Sequence, residues 1–479
     1  MTPVSDGLVI VGKRDCPTCT MLEPVFSELV STGMPLTVYS QDDPTFPDNI
    51  SGVIDDTELE ASFRLDVDTV PTLLKFDGGQ EVARAIGWNR AEWAKLTGLD
   101  GIGDGLPEAR PGCGAKNVEP GIAEELAVRY GNVSFDARDV EIGAHDDEFE
   151  ACYERGWSDG LPVVPPTDVR VYRMLQGTKR KPDEVVAVIP PDLAECTVEK
   201  VAINAVMAGC KPEYLPVVLA AIEAACEEKF CMHGLLATTW FSGPMVVVNG
   251  PIAKRIGMNS GMNALGQGNR ANATIGRALQ LVIRNVGGGK PGGIDRSTLG
   301  NPGKYTFCFA EKEDESPWDS YATEHGVEDG KSSVTLFAAD GVQGIFDQQS
   351  RTPESLSRTF AACLRGVAHP KIAMACDVFL VVSPEHARVF REAGWSKQKL
   401  KEELSELLRF PGKDMIRGAG GIAEGLPAHF EEIDIPKFRP DGLNIVHAGG
   451  GAGLFSAIIS GWLASGEMGS SPVTKVIGE

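Results

Sequence analysis

The feature that most restricts this chain is a pair of closely spaced cysteines, Cys16-Pro17-Thr18-Cys19, set where one hydrophobic pattern gives way to another. Upstream, Leu8-Val9-Ile10-Val11 is a continuous apolar run rich in β-branched residues, the pattern of a buried strand. Downstream, Met21, Leu22, Val25, Phe26, Leu29 and Val30 recur at helical spacing. The pattern predicts a strand that hands over to a helix, with Cys16 at the helix N-terminus. Unpaired backbone N–H groups and the positive end of the helix dipole favour an anion there. A thiolate is such an anion, so Cys16 is expected to be the nucleophile. Cys19, one turn further in, is then placed to attack a mixed disulfide on Cys16. The alternatives are an inert scaffold or half of a zinc site; the latter needs two more ligands, and the sequence contains no second Cys-x-x-Cys.

A second element sits about fifty residues on, where Val70-Pro71-Thr72 precedes the apolar run Leu73-Leu74-Lys75-Phe76 and the turn Asp77-Gly78-Gly79. Cys-x-x-Cys at a strand–helix junction, followed by Val-Pro-Thr before a hairpin, resembles the thioredoxin and glutaredoxin superfamily. The resemblance implies a cis peptide before Pro71, with that loop packed beside Cys16 and Cys19 as part of the catalytic constellation. It also implies a partner that recharges the pair, a thiol reductant or a disulfide reductase. The dipeptide between the cysteines is Pro-Thr rather than the Gly-Pro of thioredoxin, so no redox potential carries over. The early first strand fits the shorter, glutaredoxin-sized form.

A chain of 479 residues exceeds one ordinary core. The fold class expected is α/β. Residues 1–100 form the thioredoxin-like domain. Residues 101–150 form a Gly/Pro-rich linker and partly helical connector. Residues 151–479 form a larger α/β region with a mostly parallel sheet and two lobes, 151–326 and 327–479. Cys113, flanked by glycines in the linker, is either a client of Cys16 or a linker thiol with no special role.

Within the larger region, residues 197–208 and 212–225 read as a helical hairpin, and 244–249 as a strand. Four asparagines crowd the stretch Asn259 to Asn272, where Asn263, Asn269, Arg270 and Asn272 lead into a helix. A glycine-rich approach to a helix N-terminus with an adjacent Arg suits an anionic ligand; the alternative is an Asn-capped helix and nothing more. Residues 301–311 read as a strand with Lys304, Thr306 and Cys308 on one face, making Cys308 either a Lys-activated thiol or a small core residue. His233, next to Cys231-Met232, is a candidate catalytic imidazole or a structural one. Residues 443–447 read as a strand, followed by Gly449-Gly450-Gly451 and a helix over 454–463, which together suggest a second anion loop.

Segments 157–318 and 394–474 are similar to an uncharacterised bacterial family, through Trp157-Ser-Asp-Gly-Leu-Pro-Val-Val-Pro-Pro, Gly268-Asn-Arg-Ala-Asn-Ala-Thr-Ile-Gly-Arg and Pro302-Gly-Lys-Tyr-Thr. That likeness brings no activity with it. Cys113-Gly-Ala-Lys resembles part of the motif of UGSC-type thiol- or selenol-dependent proteins and carries no residue roles.

A formal net charge of −22 argues against nucleic acid or an anionic membrane as the main partner. The first residues lack a basic and apolar leader, and eleven scattered cysteines suit a reducing compartment, so a cytoplasmic protein is expected. No metal and no cofactor are expected. The reading is a thiol-dependent oxidoreductase. Its first module reduces or resolves a thiol intermediate, with Cys308 as the internal partner, while the larger region transforms an anionic small molecule. A non-redox lyase or hydrolase and a ligand-binding scaffold are the alternatives.

Overall fold

The computed structural model describes residues 6–143, 145–463 and 469–478. It is an α/β protein with two compact units, divided between Ser134 and Phe135.

In the first unit, β1 (Gly7–Gly12) runs parallel to β2 (Leu36–Ser40), which runs parallel to the short β3 (Ile54–Asp55). The apolar run of β1 has both faces covered, with Leu8 and Ile10 in one core cluster and Val9 and Val11 in another. Between β1 and β2 lie α1 (Pro17–Met21) and α2 (Glu23–Ser31), parted at Leu22 just before Pro24. After β4 (Thr69–Val70) the chain enters β5 (Thr72–Asp77), antiparallel to β1, and turns through Gly78 and Gly79 into β6 (Gln80–Ile86). Both glycines have positive φ, 61° and 75°, as the tight hairpin requires.

The expected linker is not one. Residues 109–110 pair with Trp88–Asn89, and β7 (Cys113–Gly114) pairs with β4. Asn117 is buried, donates to the Val67 carbonyl at 2.7 Å and accepts from Gln41 at 3.0 Å. The glycines and prolines of this stretch shape an extended cover that docks on the first unit, so the boundary lies at residue 134 rather than 100.

The larger unit has α3 (Val198–Ala208) and α4 (Leu215–Ala225) as the expected hairpin, with Gly209 closing α3 at φ 90°. Then come β8 (Gly243–Asn249), α5 (Arg270–Asn285), β9 (Cys308–Ala310) and the long β10 (Ser333–Phe346). They are followed by α6 (Pro353–Leu364), β11 (Cys376–Val382), α7 (Pro384–Glu392), α8 (Lys397–Leu407), β12 (Leu443–His447), β13 (Phe455–Leu463) and β14 (Val473–Val476).

Among the described residues these strands make one sheet in the order β9-β8-β10-β13-β11-β12, with β14 also on β10. The expectation of a mostly parallel sheet is wrong: only β8–β9 and β11–β12 are parallel, and every other pair is antiparallel. The physical reason is β13. Residues 454–463, expected as a helix, are instead a strand wedged between β10 and β11 and antiparallel to both. Two separate lobes are excluded for the same reason, because β10 and β13 join the two halves in one sheet.

The same succession occurs twice: strand, helices, parallel strand, then antiparallel strand back to the centre. The sheet curls until its edges meet, where the Lys312 N–H donates to the His447 carbonyl at 2.7 Å. Met245, Val247, Phe309, Phe337, Phe379, Val381, Val446 and Ile459 fill the inside of the curl. Their neighbours along the strands face outward in two directions. Val246, Val248 and Leu336 pack with α3, α4 and α5, and Val378, Leu380 and Ile445 with α6, α7 and α8.

Candidate functional site

In the first unit Cys16 is the N-cap of α1, with extended backbone (φ −141°, ψ 108°). Its sulfur accepts the Cys19 N–H at 3.3 Å and lies 3.5 Å from the Val70 carbonyl, to which the thiol donates when protonated. The Val70–Pro71 peptide is cis. Pro71 follows directly from β4, so the residues expected to converge do so: Cys16, Cys19 and the Val70–Pro71 loop surround one point.

The electrostatics divide the two cysteines. The neighbouring Cys19 thiol first, then the Cys19 N–H and more weakly Cys113 and the Thr18 N–H, hold the Cys16 pKa down to about 5 against the opposing effect of burial. Cys19 is pushed the other way, far above the ordinary thiol range, first by burial and then by the neighbouring Cys16 anion. Cys113 is also raised, by burial and by the neighbouring Cys16. These opposite shifts favour the thiolate at Cys16 and the protonated thiol at Cys19 and Cys113. Thr18 Oγ1 donates to the Pro111 carbonyl at 2.7 Å and the Lys13 ammonium to the Gly114 carbonyl at 2.9 Å, fixing β7 against this centre.

The candidates in the larger unit fare differently. Cys308 is buried on β9 under α5; a Cβ added at Gly276 of that helix would come within 3.2 Å of the Cys308 Cβ. Burial pushes its thiol well up. The expected face shared with Lys304 does not exist, because 302–304 form a turn of 3-10 helix and only 308–310 are strand. Cys308 is a core residue and is withdrawn as a redox partner. His233 is exposed on the helix Met232–Ala237 and is not among the residues that line the neighbouring cavity.

The asparagine loop bonds to itself. Asn269 caps α5 through the Asn272 N–H at 3.0 Å and donates to the Gly257 carbonyl. Asn272 is buried and bridges Asn259 and Ala264, while Asn263 bonds the Gln267 carbonyl across its turn. Arg270 reaches the Gly209 carbonyl at 2.9 Å, closing the C-terminus of α3. The ligand-loop expectation for these residues therefore gives way to the capping one. At Gly449, Gly450 and Gly451 no helix follows, so the expected dipole is missing. The Gly449 N–H donates instead to Ser260 at 2.9 Å, and Gly450 lies against Met262.

Lys304 does line a cavity of about 530 Å³, together with Gln280, Arg284, Asp295, Ser297 and Tyr305. Its ammonium is held at 2.7 Å by Asp295 and 2.6 Å by Ser297. Gln280 and Arg284 sit four residues apart on α5, and Gln280 Nε2 and Arg284 Nε are buried donors without a hydrogen-bond partner among the described residues. Sequence reasoning missed them, although their i,i+4 spacing on one helix face was a usable signal. It also missed a buried polar centre where β8, β9 and β12 end. There the Glu311 carboxylate accepts from Asn249 Nδ2 and the Tyr321 N–H, both at 2.7 Å, while His447 Nδ1 bonds the Val382 carbonyl at 3.0 Å.

Comparison with protein-family models, with curated proteins and with solved structures returned no match. Among the described residues no helix is long and apolar enough to cross a membrane.

Proposed function

We propose that the first unit is a thioredoxin-like thiol–disulfide exchange module. The observation that carries the reading is the seat of Cys16: the N-cap of a helix, its sulfur receiving the Cys19 N–H at 3.3 Å. The strand order with β1 central, and the Val70–Pro71 loop at the same point, support it. The Cys16 thiolate attacks a client disulfide and forms a mixed disulfide, expelling one client thiolate. A second thiol of the centre then attacks Cys16 Sγ and expels the other. The client gains two electrons, the centre is left as a disulfide, and a thiol reductant or disulfide reductase restores it. The intended client is a disulfide that turnover leaves at a thiol of the larger unit, at a site other than Cys308. The test uses the reduced full chain with glutathione disulfide. Cys16→Ser is expected to abolish disulfide reduction, and undiminished reduction would overturn the assignment.

One observation favours a second reading, in which the larger unit transforms an anionic small molecule without redox chemistry. Gln280 and Arg284, each with a buried donor that has no partner among the described residues, line a cavity that Lys304 also lines. Buried donors without partners are uncommon, and a carboxylate or phosphate would satisfy both. Calorimetric titration with phosphate and with small dicarboxylates is expected to show binding that Arg284→Met removes. Equal binding by that variant, or none by the parent chain, would exclude the site.

A further inference from the structure

Cys113 stands outside the Cys-x-x-Cys pair, yet the fold delivers it to the same point. In the β4–β7 pair Cys113 lies directly opposite Val70, whose carbonyl is 3.5 Å from the Cys16 sulfur. Cys113 packs against the same buried cluster as Cys16 and Cys19. Its placement is firmly fixed. Lys13 holds the Gly114 carbonyl, the Ala115 N–H bonds Asp68 at 3.0 Å, and the Lys116 N–H bonds Gln41 at 3.0 Å.

The three thiols differ in access. Cys16 is 1% exposed and Cys19 fully buried, whereas Cys113 is half-buried. Ionising a thiol costs more the deeper it lies in apolar surroundings. Resolution of a mixed disulfide needs a thiolate, so the less buried thiol with the Lys13 ammonium nearby is the easier one to ionise.

We propose that Cys113 is a second resolving thiol of this centre, closing a Cys16–Cys113 disulfide in competition with Cys16–Cys19. The proposal rests on the reading of Cys16 as the nucleophile. The chemistry balances without an added oxidant. In one route the Cys113 thiolate attacks Cys16 Sγ of a mixed disulfide, the Cys16–Cys113 bond forms, and the client thiolate leaves with the electron pair. In the other it attacks the Cys16–Cys19 disulfide, Cys19 leaves and takes up a proton, and the oxidation level is unchanged.

The experiment treats the reduced full chain with glutathione disulfide, quenches with acid and alkylating agent, and maps disulfides by peptide mass spectrometry. Cys19→Ser is expected to yield a Cys16–Cys113 linked peptide and little glutathione adduct. Cys19→Ser with Cys113→Ser is expected to accumulate glutathione on Cys16, with an adduct lifetime at least about tenfold longer. Cys113→Ser alone, forming the Cys16–Cys19 disulfide normally, shows that the substitution leaves the centre folded. A glutathione adduct on Cys16 of Cys19→Ser as long-lived as in the double variant, with Cys113 still alkylatable, would overturn the proposal while leaving Cys16 as nucleophile. Absence of any adduct or disulfide at Cys16 in all variants would overturn the nucleophile assignment itself.

Discussion

Replacing Cys19 with alanine removes one identifiable support of the Cys16 thiolate and leaves the others in place. The Cys19 N–H still reaches the sulfur, but the largest single influence on it, the Cys19 S–H, is gone. A hydrogen bond to a charged group contributes roughly 1.5–3 kcal/mol, and one pKa unit corresponds to about 1.4 kcal/mol. The Cys16 pKa is therefore expected to rise by roughly one to two units from its value of about 5. The assay is the pH dependence of Cys16 alkylation by iodoacetamide, resolved by peptide mass spectrometry because the chain holds eleven cysteines. The midpoint of the profile is the quantity to compare, not the rate at one pH. A more basic thiolate is also a better nucleophile, which masks much of the change in rate. Cys113→Ala is expected to move the midpoint in the same direction by less. A parent midpoint near the ordinary thiol value of about 8.5, or one that stays put when the Cys19 thiol is removed, would refute the electrostatic account.

Other outcomes follow from particular contacts. A Cβ at Gly112 would lie 2.5 Å from Thr69 Cγ2 and 2.6 Å from the Val70 oxygen, so Gly112→Ala must lift β7. It is expected to cost about 1–3 kcal/mol in denaturant unfolding of the first unit and to speed Cys16 alkylation in the native protein. Asp159 forms a fork with Arg277, at 2.8 Å to Nε and 2.7 Å to Nη2, with both side chains largely buried. Asp159→Asn leaves that guanidinium without its countercharge, and a loss of roughly 2–3 kcal/mol in the larger unit is expected from chemical denaturation. Burial holds the His447 pKa down to about 4. The unfolded chain then takes up a proton near pH 6.5 that the folded one refuses, so stability present above that pH falls away as the pH drops toward 4. The loss amounts to roughly 3 kcal/mol, and His447→Gln should remove that part of the slope.

The working end of the first unit was legible because its signals are local. A buried-strand run, a cysteine pair and a helical repeat stand next to one another, and the N-cap geometry follows from that order alone. Cys113 was not legible in the same way. Its neighbour Val70 is distant in sequence, and only the pairing of two very short strands joins them. The glycines that made residues 101–114 look like a linker are what allow the chain to lie so close, as the Gly112 contact with Val70 illustrates. In the larger unit, 197–208 was readable as a helix because its apolar residues recur at helical spacing between Thr197, which caps its start, and Gly209, which ends it. Residues 454–463 were misread because a strand wedged between two others, with cores above and below, has no polar face to show its period. The asparagine loop misled for a different reason: side chains that satisfy a loop's own backbone have the same composition as side chains that hold a ligand.

The central position of β13 also sets an order of events during synthesis. The first unit has all its strands once residue 134 is made. The larger sheet cannot be completed until residues 455–463 emerge, because β10 and β11 both wait for that strand. At roughly 5–20 residues per second that interval lasts tens of seconds. Throughout it the sheet of the larger unit lacks its central strand. Cys308 and Cys376, buried in the finished sheet, are covered only when its last strands are in place.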